Sequence, residues 1–145
     1  MDPPTIPEKK FWRKKMKESK AKILIVDDIE DYLRSLENVL KKDYEVLTAK
    51  SLEEAKEKAK EGIDIALIDI RLSEEDMTNR DGLVFLEWLK MNYPDIPAVV
   101  MSAYQEFDLA VDALNLGAKY FLKKPINLVE LKGTLKMLLE GKSKD

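Results

Sequence analysis

Five short apolar runs, each followed by a stretch with helical spacing, constrain what this chain can fold into. They read KILIVD (22–27), YEVLTA (44–49), IDIALID (63–69), AVVMS (98–102) and KYFLK (119–123). Apolar runs of roughly four to six residues flanked by helix-like segments read as strands buried on both faces, as in a parallel sheet. Between them the spacing changes to three and four. Residues 30–41 place Tyr32, Leu33, Leu36, Val39 and Leu40 on one side of a helix. Ser51 with Glu54 three residues later is a capping-box start, and Gly62 stops that second helix. Asp81-Gly82 opens a third helix, LVFLEWLKMN, and Pro94 and Pro97 bracket the turn that follows. A fourth helix over 106–116 ends at Gly117, a left-handed cap, and a fifth, NLVELKGTLKMLLE, follows Pro125. Five strand-then-helix units predict an open, doubly wound α/β sheet with helices on both faces. An eight-unit barrel needs far more chain. A dinucleotide fold needs a glycine-rich first turn, and Asp27-Asp28-Ile29-Glu30 is its electrostatic opposite.

In such a sheet, ligands bind outside the carboxyl ends of the strands, so the residues there decide the chemistry. Asp27 and Asp28 follow the first run, Asp69 closes the third, Ser102 closes the fourth and Lys124 follows the fifth. Any one of these aspartates alone would be read as a helix cap or a solvated carboxylate, as Asp64, Asp95 and Asp108 are. Their coincidence at different strand ends points instead to a hard divalent cation, because Mg²⁺ prefers oxygen ligands and one or two carboxylates. Lys124 and the Ser102 hydroxyl beside them suit a phosphoryl group.

Composition closes other routes. A chain of 145 residues, 45% of them hydrophobic, suffices for one domain with a core. It has no cysteine, so disulfides, zinc thiolates and thiol chemistry are excluded. It has no histidine, so it uses no imidazole base and is not itself a histidine phosphodonor. With no apolar stretch near the roughly 20 residues of a membrane span and no signal-peptide core, the expected location is cytoplasmic. The net charge of -3 conceals an asymmetry: residues 1–22 carry eight basic and three acidic side chains, and the remainder is strongly acidic. The expected organisation is a basic arm or short helix over 1–21, a domain over 22–140, and a tail over 141–145. The arm reads as a short packed helix or a solvated tail. An electrostatic nucleic-acid contact is the sharper but less expected reading, and with only Phe11, Trp12 and Met16 as sizeable apolar residues the arm is ill suited to membrane insertion.

The motifs ILIVDD, LIDIRL, DGL, VVMSA and KKP, in this order and spacing, resemble the receiver domain of two-component response regulators, the CheY-like superfamily. The resemblance covers about residues 22–140. It implies a flavodoxin-like (βα)5 sheet of strand order 2-1-3-4-5. It implies that Asp69 is the phosphoacceptor, attacking a phosphohistidine on a sensor histidine kinase or a histidine phosphotransfer protein. By the same resemblance, Asp28 is a direct Mg²⁺ ligand, Asp27 works through water, and the backbone carbonyl of Arg71 completes the protein's share of the shell, with Mn²⁺ as a substitute. Lys124 pairs with a phosphoryl oxygen and precedes a cis peptide to Pro125, while Lys123 is the rival for its role. Ser102 and Phe121 match a switch pair, and Arg71 and Tyr104 match positions that tune phosphate lifetime, Tyr104 being bulky enough to slow autodephosphorylation. Such a protein is a phosphorylated acceptor, not a conventional multiple-turnover enzyme.

The loop from Asp69 to Asp81 is longer than usual in that family, with SEEDMTNR reading as a solvated insertion. Only GKSKD follows the last helix, so the expected chain is a stand-alone receiver or a piece of a larger regulator whose output module is absent. Either would act on a downstream protein, and a phosphorylation-dependent homodimer fits the class. Two other readings exist. One is a receiver-shaped scaffold that is never phosphorylated. The other is an aspartate-nucleophile phosphatase, which would place its nucleophile after the first strand in an Asp-x-Asp pattern.

Overall fold

The computed structural model describes residues 20–73, 75–103 and 107–143. The basic arm up to residue 19, and Tyr104, lie outside the described residues. The strands are β1 (Lys22–Val26), β2 (Glu45–Ala49), β3 (Ile65–Asp69), β4 (Ala98–Ser102) and β5 (Tyr120–Lys123). They alternate with helices α1 (Glu30–Leu40), α2 (Leu52–Ala59), α3 (Asp81–Asn92), α4 (Phe107–Asn115) and α5 (Leu128–Ser143). All pairings are parallel and the order is β2-β1-β3-β4-β5, as the sequence reading expects. No helix among the described residues is long and apolar enough to cross a membrane.

Strand alternation sends successive side chains to opposite faces and so builds two core layers. Leu24, Val26, Ala66, Ile68, Ala98 and Val100 form one layer with Ala55 and Ala59 of α2, Phe85 and Leu89 of α3, and Ala113 of α4. Ile23, Ile25, Ile65, Leu67, Val99 and Met101 form the other with Leu33, Leu36 and Leu40 of α1 and Leu131 and Leu135 of α5. β3 and β4 are buried along their whole length, which explains why their sequences are apolar without interruption.

Local chemistry sets the element ends. Ser51 accepts the Glu54 N–H at 3.2 Å and caps α2. Gly62 and Gly117 both adopt positive φ, at 88° and 108°, and turn the chain after α2 and α4. β3 starts at Ile65 rather than Ile63, and Asp64 before it is joined to Lys22 twice: its carboxylate accepts the Lys22 N–H at 2.8 Å and its own N–H donates to the Lys22 carbonyl at 2.9 Å. α5 extends to Ser143, beyond the expected end near residue 140.

α3 meets the end of β3 at close quarters. The Gly82 N–H donates to the Ile70 carbonyl at 2.8 Å. A Cβ on Gly82 would lie 2.0 Å from the Asp69 carbonyl oxygen and 2.5 Å from that of Ile70. Both neighbours are backbone atoms that cannot rotate away, so α3 can dock here only through a residue without a side chain. Gly82→Ala is therefore expected to destabilise the domain by on the order of 3 kcal/mol, as overpacking against rigid atoms does. Urea unfolding measures this; a cost below about 0.5 kcal/mol would show that the contact is readily relaxed.

Candidate phosphoacceptor and metal site

The carboxyl edge of the sheet brings the expected residues together by register. Val26 of β1 pairs with Ile68 of β3, so Asp27 and Asp69, the next residues of each chain, emerge side by side. Lys124 follows β5, two strands away from β3 in the order. Strands lie about 4.8 Å apart, so only a long side chain spans that gap. The Lys124 ammonium reaches across, donating to Asp27 Oδ2 at 3.0 Å and to Asp69 Oδ2 at 3.2 Å. Its backbone N–H donates to the Ser102 carbonyl at 2.8 Å, and its peptide bond to Pro125 is cis. Lys123, the rival, is exposed on the strand.

Asp27 is wholly buried, and its other oxygen accepts the Ile29 N–H at 3.0 Å, fixing the turn into α1. Asp69 is also buried, while Asp28 is half-buried beside them. One carboxylate oxygen from each of Asp27, Asp28 and Asp69 lies within 4.8 Å of the others. The next acidic residue, Glu30, is engaged elsewhere: it pairs with Lys50 and, at 3.6 Å, with Arg34. The donor set is thus all oxygen, anionic and compact, which fits a hard divalent cation such as Mg²⁺.

Electrostatics agree with that fit. Burial, reinforced by the negative charge of Asp27, pushes the Asp69 carboxyl up to about 7, although Lys124 acts in the opposite sense. Burial acts to lower the Lys124 ammonium, but attraction to Asp69 and Asp27 more than offsets it and holds Lys124 above its ordinary value. One ammonium does not balance three carboxylates, so the cluster has unmet demand for positive charge.

An open cleft beside this cluster is lined by Asp28, Ile29, Tyr32, Asp69, Arg71, Ala103, Lys124 and Pro125. Ser102 is wholly buried at the end of β4, with its hydroxyl donating to the Ala103 carbonyl at 3.4 Å. Phe121 pairs with Val100 in register and packs, half-buried, against the layer that contains Ala113 and Ala118. Ser102 lies two residues beyond Val100, so Ser102 and Phe121 share the face covered by α4. Tyr104 lies outside the described residues. Arg71 lines the cleft, and its guanidinium donates to the Met77 sulfur at 3.1 Å.

Three features exceed the expectations from sequence. The long loop is folded on itself: Asn79 Oδ1 accepts both the Leu72 and Asp81 N–H groups, at 2.9 and 3.0 Å. Asp76 Oδ1 accepts the Thr78 N–H and hydroxyl at 2.9 and 2.6 Å. Asn and Asp in a polar run are the available signal for such turns, although their partners are not encoded in any periodicity. Tyr32, expected on the apolar side of α1, is 39% exposed and faces the cleft, with its ring centroid 4.5 Å from the Lys124 ammonium. Gly82 sets the distance between α3 and the backbone of Asp69.

Known proteins carry the same arrangement of strands and helices. The family model for the response regulator receiver domain matches residues 23–136. The transcriptional regulatory protein ZraR of Escherichia coli is 35% identical over 119 residues, which are 81% of this chain and 26% of ZraR. The response regulator protein PilR of Pseudomonas aeruginosa is 34% identical over 79% of this chain and 25% of its own length. Among solved structures, a CheY-like receiver domain protein of Methanospirillum hungatei superposes with a TM-score of 0.78 at 30% identity, covering 87% of this chain and 98% of that one. NtrX of Brucella abortus, in complex with ADP, gives a TM-score of 0.76 at 28% identity over 86% of this chain and 27% of NtrX. The chain spans about a quarter of the length of the curated relatives it matches. By motif, fold and the match over residues 23–136, this chain belongs to the response regulator receiver domain family.

Proposed function

We propose that this receiver accepts a phosphoryl group on Asp69 from the phosphohistidine of a partner kinase or phosphotransfer protein. The observation that carries the reading is the Lys124 ammonium held between Asp27 and Asp69, with Asp28 completing a compact set of oxygen donors. An Asp69 carboxylate oxygen attacks phosphorus, the N–P bond of the donor breaks, and its electron pair stays on the imidazole nitrogen. The new O–P bond is an acyl phosphate. Lys124, already at the site, pairs with an equatorial phosphoryl oxygen, and the Ser102 hydroxyl donates to another. Asp27, Asp28, Asp69 and the Arg71 carbonyl would hold Mg²⁺, or Mn²⁺ in its place. When bound, the ion supplies positive charge that offsets both the carboxylates and the phosphoryl oxygens.

Movement of Ser102 toward the phosphoryl group would free space for Phe121 to turn inward and so alter the face formed by α4, β5 and α5. A downstream protein, an output module or a second phosphorylated copy would read that change. By the family resemblance, Arg71 and Tyr104 stand at sequence positions that tune phosphate lifetime, and a side chain as bulky as tyrosine there favours slow autodephosphorylation. The protein would therefore be stoichiometrically modified rather than act as a multiple-turnover enzyme.

Nucleophilic attack needs Asp69 ionised, so its raised pKa gives a test without phosphorylation. A carboxyl held near 7 when folded and near 3.8 when unfolded binds its proton more tightly in the folded state. The contribution of Asp69 to stability consequently falls as pH rises through that window. In metal-free solution, Asp69→Asn should match the parent below about pH 4 and exceed it in stability by up to about 4 kcal/mol at pH 8. Urea unfolding at a series of pH values measures the gap, and Mg²⁺ should narrow it. A gap independent of pH would mean that Asp69 is not strained by its neighbours.

Incubation with acetyl phosphate and Mg²⁺ tests the reaction itself. Intact mass should rise by one phosphate, the gain should require the metal, and Asp69→Asn should abolish it. No gain in folded protein would overturn the proposal, and continuous turnover of small phosphoesters would favour a phosphatase.

A further inference from the structure

Tyr32 sits in the first turn of α1 (Glu30–Leu40), where the helix starts at the carboxyl edge of the sheet. Its neighbours Leu33, Leu36 and Leu40 are buried in the core, but Tyr32 is 39% exposed and forms part of the cleft wall. The ring centroid is 4.5 Å from Lys124 Nζ, within the roughly 6 Å over which a cation is attracted to a ring face. Two carboxylates hold the same ammonium, at 3.0 and 3.2 Å. The two carboxylates differ in position: Asp69 lines the cleft, as Tyr32 does, whereas Asp27 is wholly buried and does not.

We infer that Tyr32 is a positioning residue, whose ring face keeps the Lys124 ammonium at the cleft side of the site, where an incoming phosphoryl oxygen arrives. The inference rests on the assignment of Asp69 as phosphoacceptor. A lysine stem has several rotatable bonds, and the wholly buried Asp27 would draw its charge inward, away from the cleft that Asp69 lines. The ring opposes that pull without forming a hydrogen bond that must be broken when the phosphoryl group enters. Its attraction acts through the π face, so the hydroxyl is not needed. Helical spacing also explains the placement. Tyr32 precedes Leu33 by one residue, about 100° around the helix, which turns it out of the core and toward Lys124.

The rate of Asp69 phosphorylation by acetyl phosphate, measured against Mg²⁺ concentration, separates this role from a structural one. Tyr32→Phe keeps the ring and should stay within about twofold of the parent at saturating Mg²⁺. Tyr32→Leu keeps bulk but loses the π face, and should lower the saturating rate by about three- to tenfold, the range expected for one cation–π contact. The Mg²⁺ midpoint should not move in either variant, because Tyr32 acts through the lysine and not through the carboxylates. Tyr32→Met, also without a ring, gives the same comparison if the Leu variant does not fold. Parent-like rates without the ring, equal losses in Phe and Leu, or a midpoint that shifts with the rate would each overturn the inference. Absence of phosphorylation in the parent protein would instead remove the phosphoacceptor assignment on which it stands.

Discussion

The ammonium of Lys124, caught between two buried carboxylates, is the interaction around which this edge of the protein is organised. Asp27 is wholly buried and Asp69 nearly so. Removing the Lys124 ammonium would leave the carboxylates uncompensated in a poorly solvated site, which is far more costly than losing a surface ion pair. The cluster is nevertheless short of positive charge: the Asp69 carboxyl is pushed up to about 7 despite the lysine beside it. In the proposed reaction, such a site would take up a cation and the phosphoryl oxygens that pair with that cation and the lysine. The same imbalance costs stability in the metal-free fold, an example of function placed where the sheet is least content.

The rest of the architecture supplies rigidity to this arrangement. Two apolar layers fix the strands, so the residues just beyond them emerge at defined positions. Register puts Asp27 beside Asp69, and the strand order sets the span that Lys124 crosses. Gly82 lets α3 sit against the backbone of Asp69 itself, which couples the placement of the acceptor to the packing of a helix. Beyond the cluster, Tyr32 and Arg71 form opposite contributions to the cleft wall, one held by its cation–π contact and the other by Met77. Neither side chain is a carboxylate, so both bear on access and position, while the proposed metal contact of Arg71 is made by its backbone carbonyl.

Much of this was legible in the chain because burial on both faces leaves a strong mark. Each strand shows as an apolar run, and all but β2 end on or just before a residue whose chemistry matters. Strand order was not readable from those runs, since any order buries the same side chains; it followed from the family motifs. Tyr32 was misread because helical spacing resolves a face only to about one residue, and a residue at the border of the stripe faces either the core or the neighbouring cleft. The internal bonds of the long loop were invisible for a different reason: Asn79 satisfies two backbone N–H groups seven residues earlier and two later, a pattern with no period. Asp64 shows the converse, an acidic residue beside a strand whose carboxylate closes the opposite rim of the sheet.

What distinguishes Asp69 from its two neighbours is its position at the end of the central strand, facing Lys124 and flanked by the cleft. In the proposed function the covalent chemistry therefore belongs to that one carboxylate, and Asp27 and Asp28 stay unmodified. An acyl phosphate is reduced by borohydride to the corresponding alcohol, so a phosphorylated aspartate becomes homoserine at its own position. Borohydride trapping after treatment with acetyl phosphate and Mg²⁺, followed by peptide mass spectrometry, reads the acceptor directly. The account predicts homoserine at position 69 alone. Homoserine at position 27 or 28, or a stable phosphate on Ser102, would contradict it.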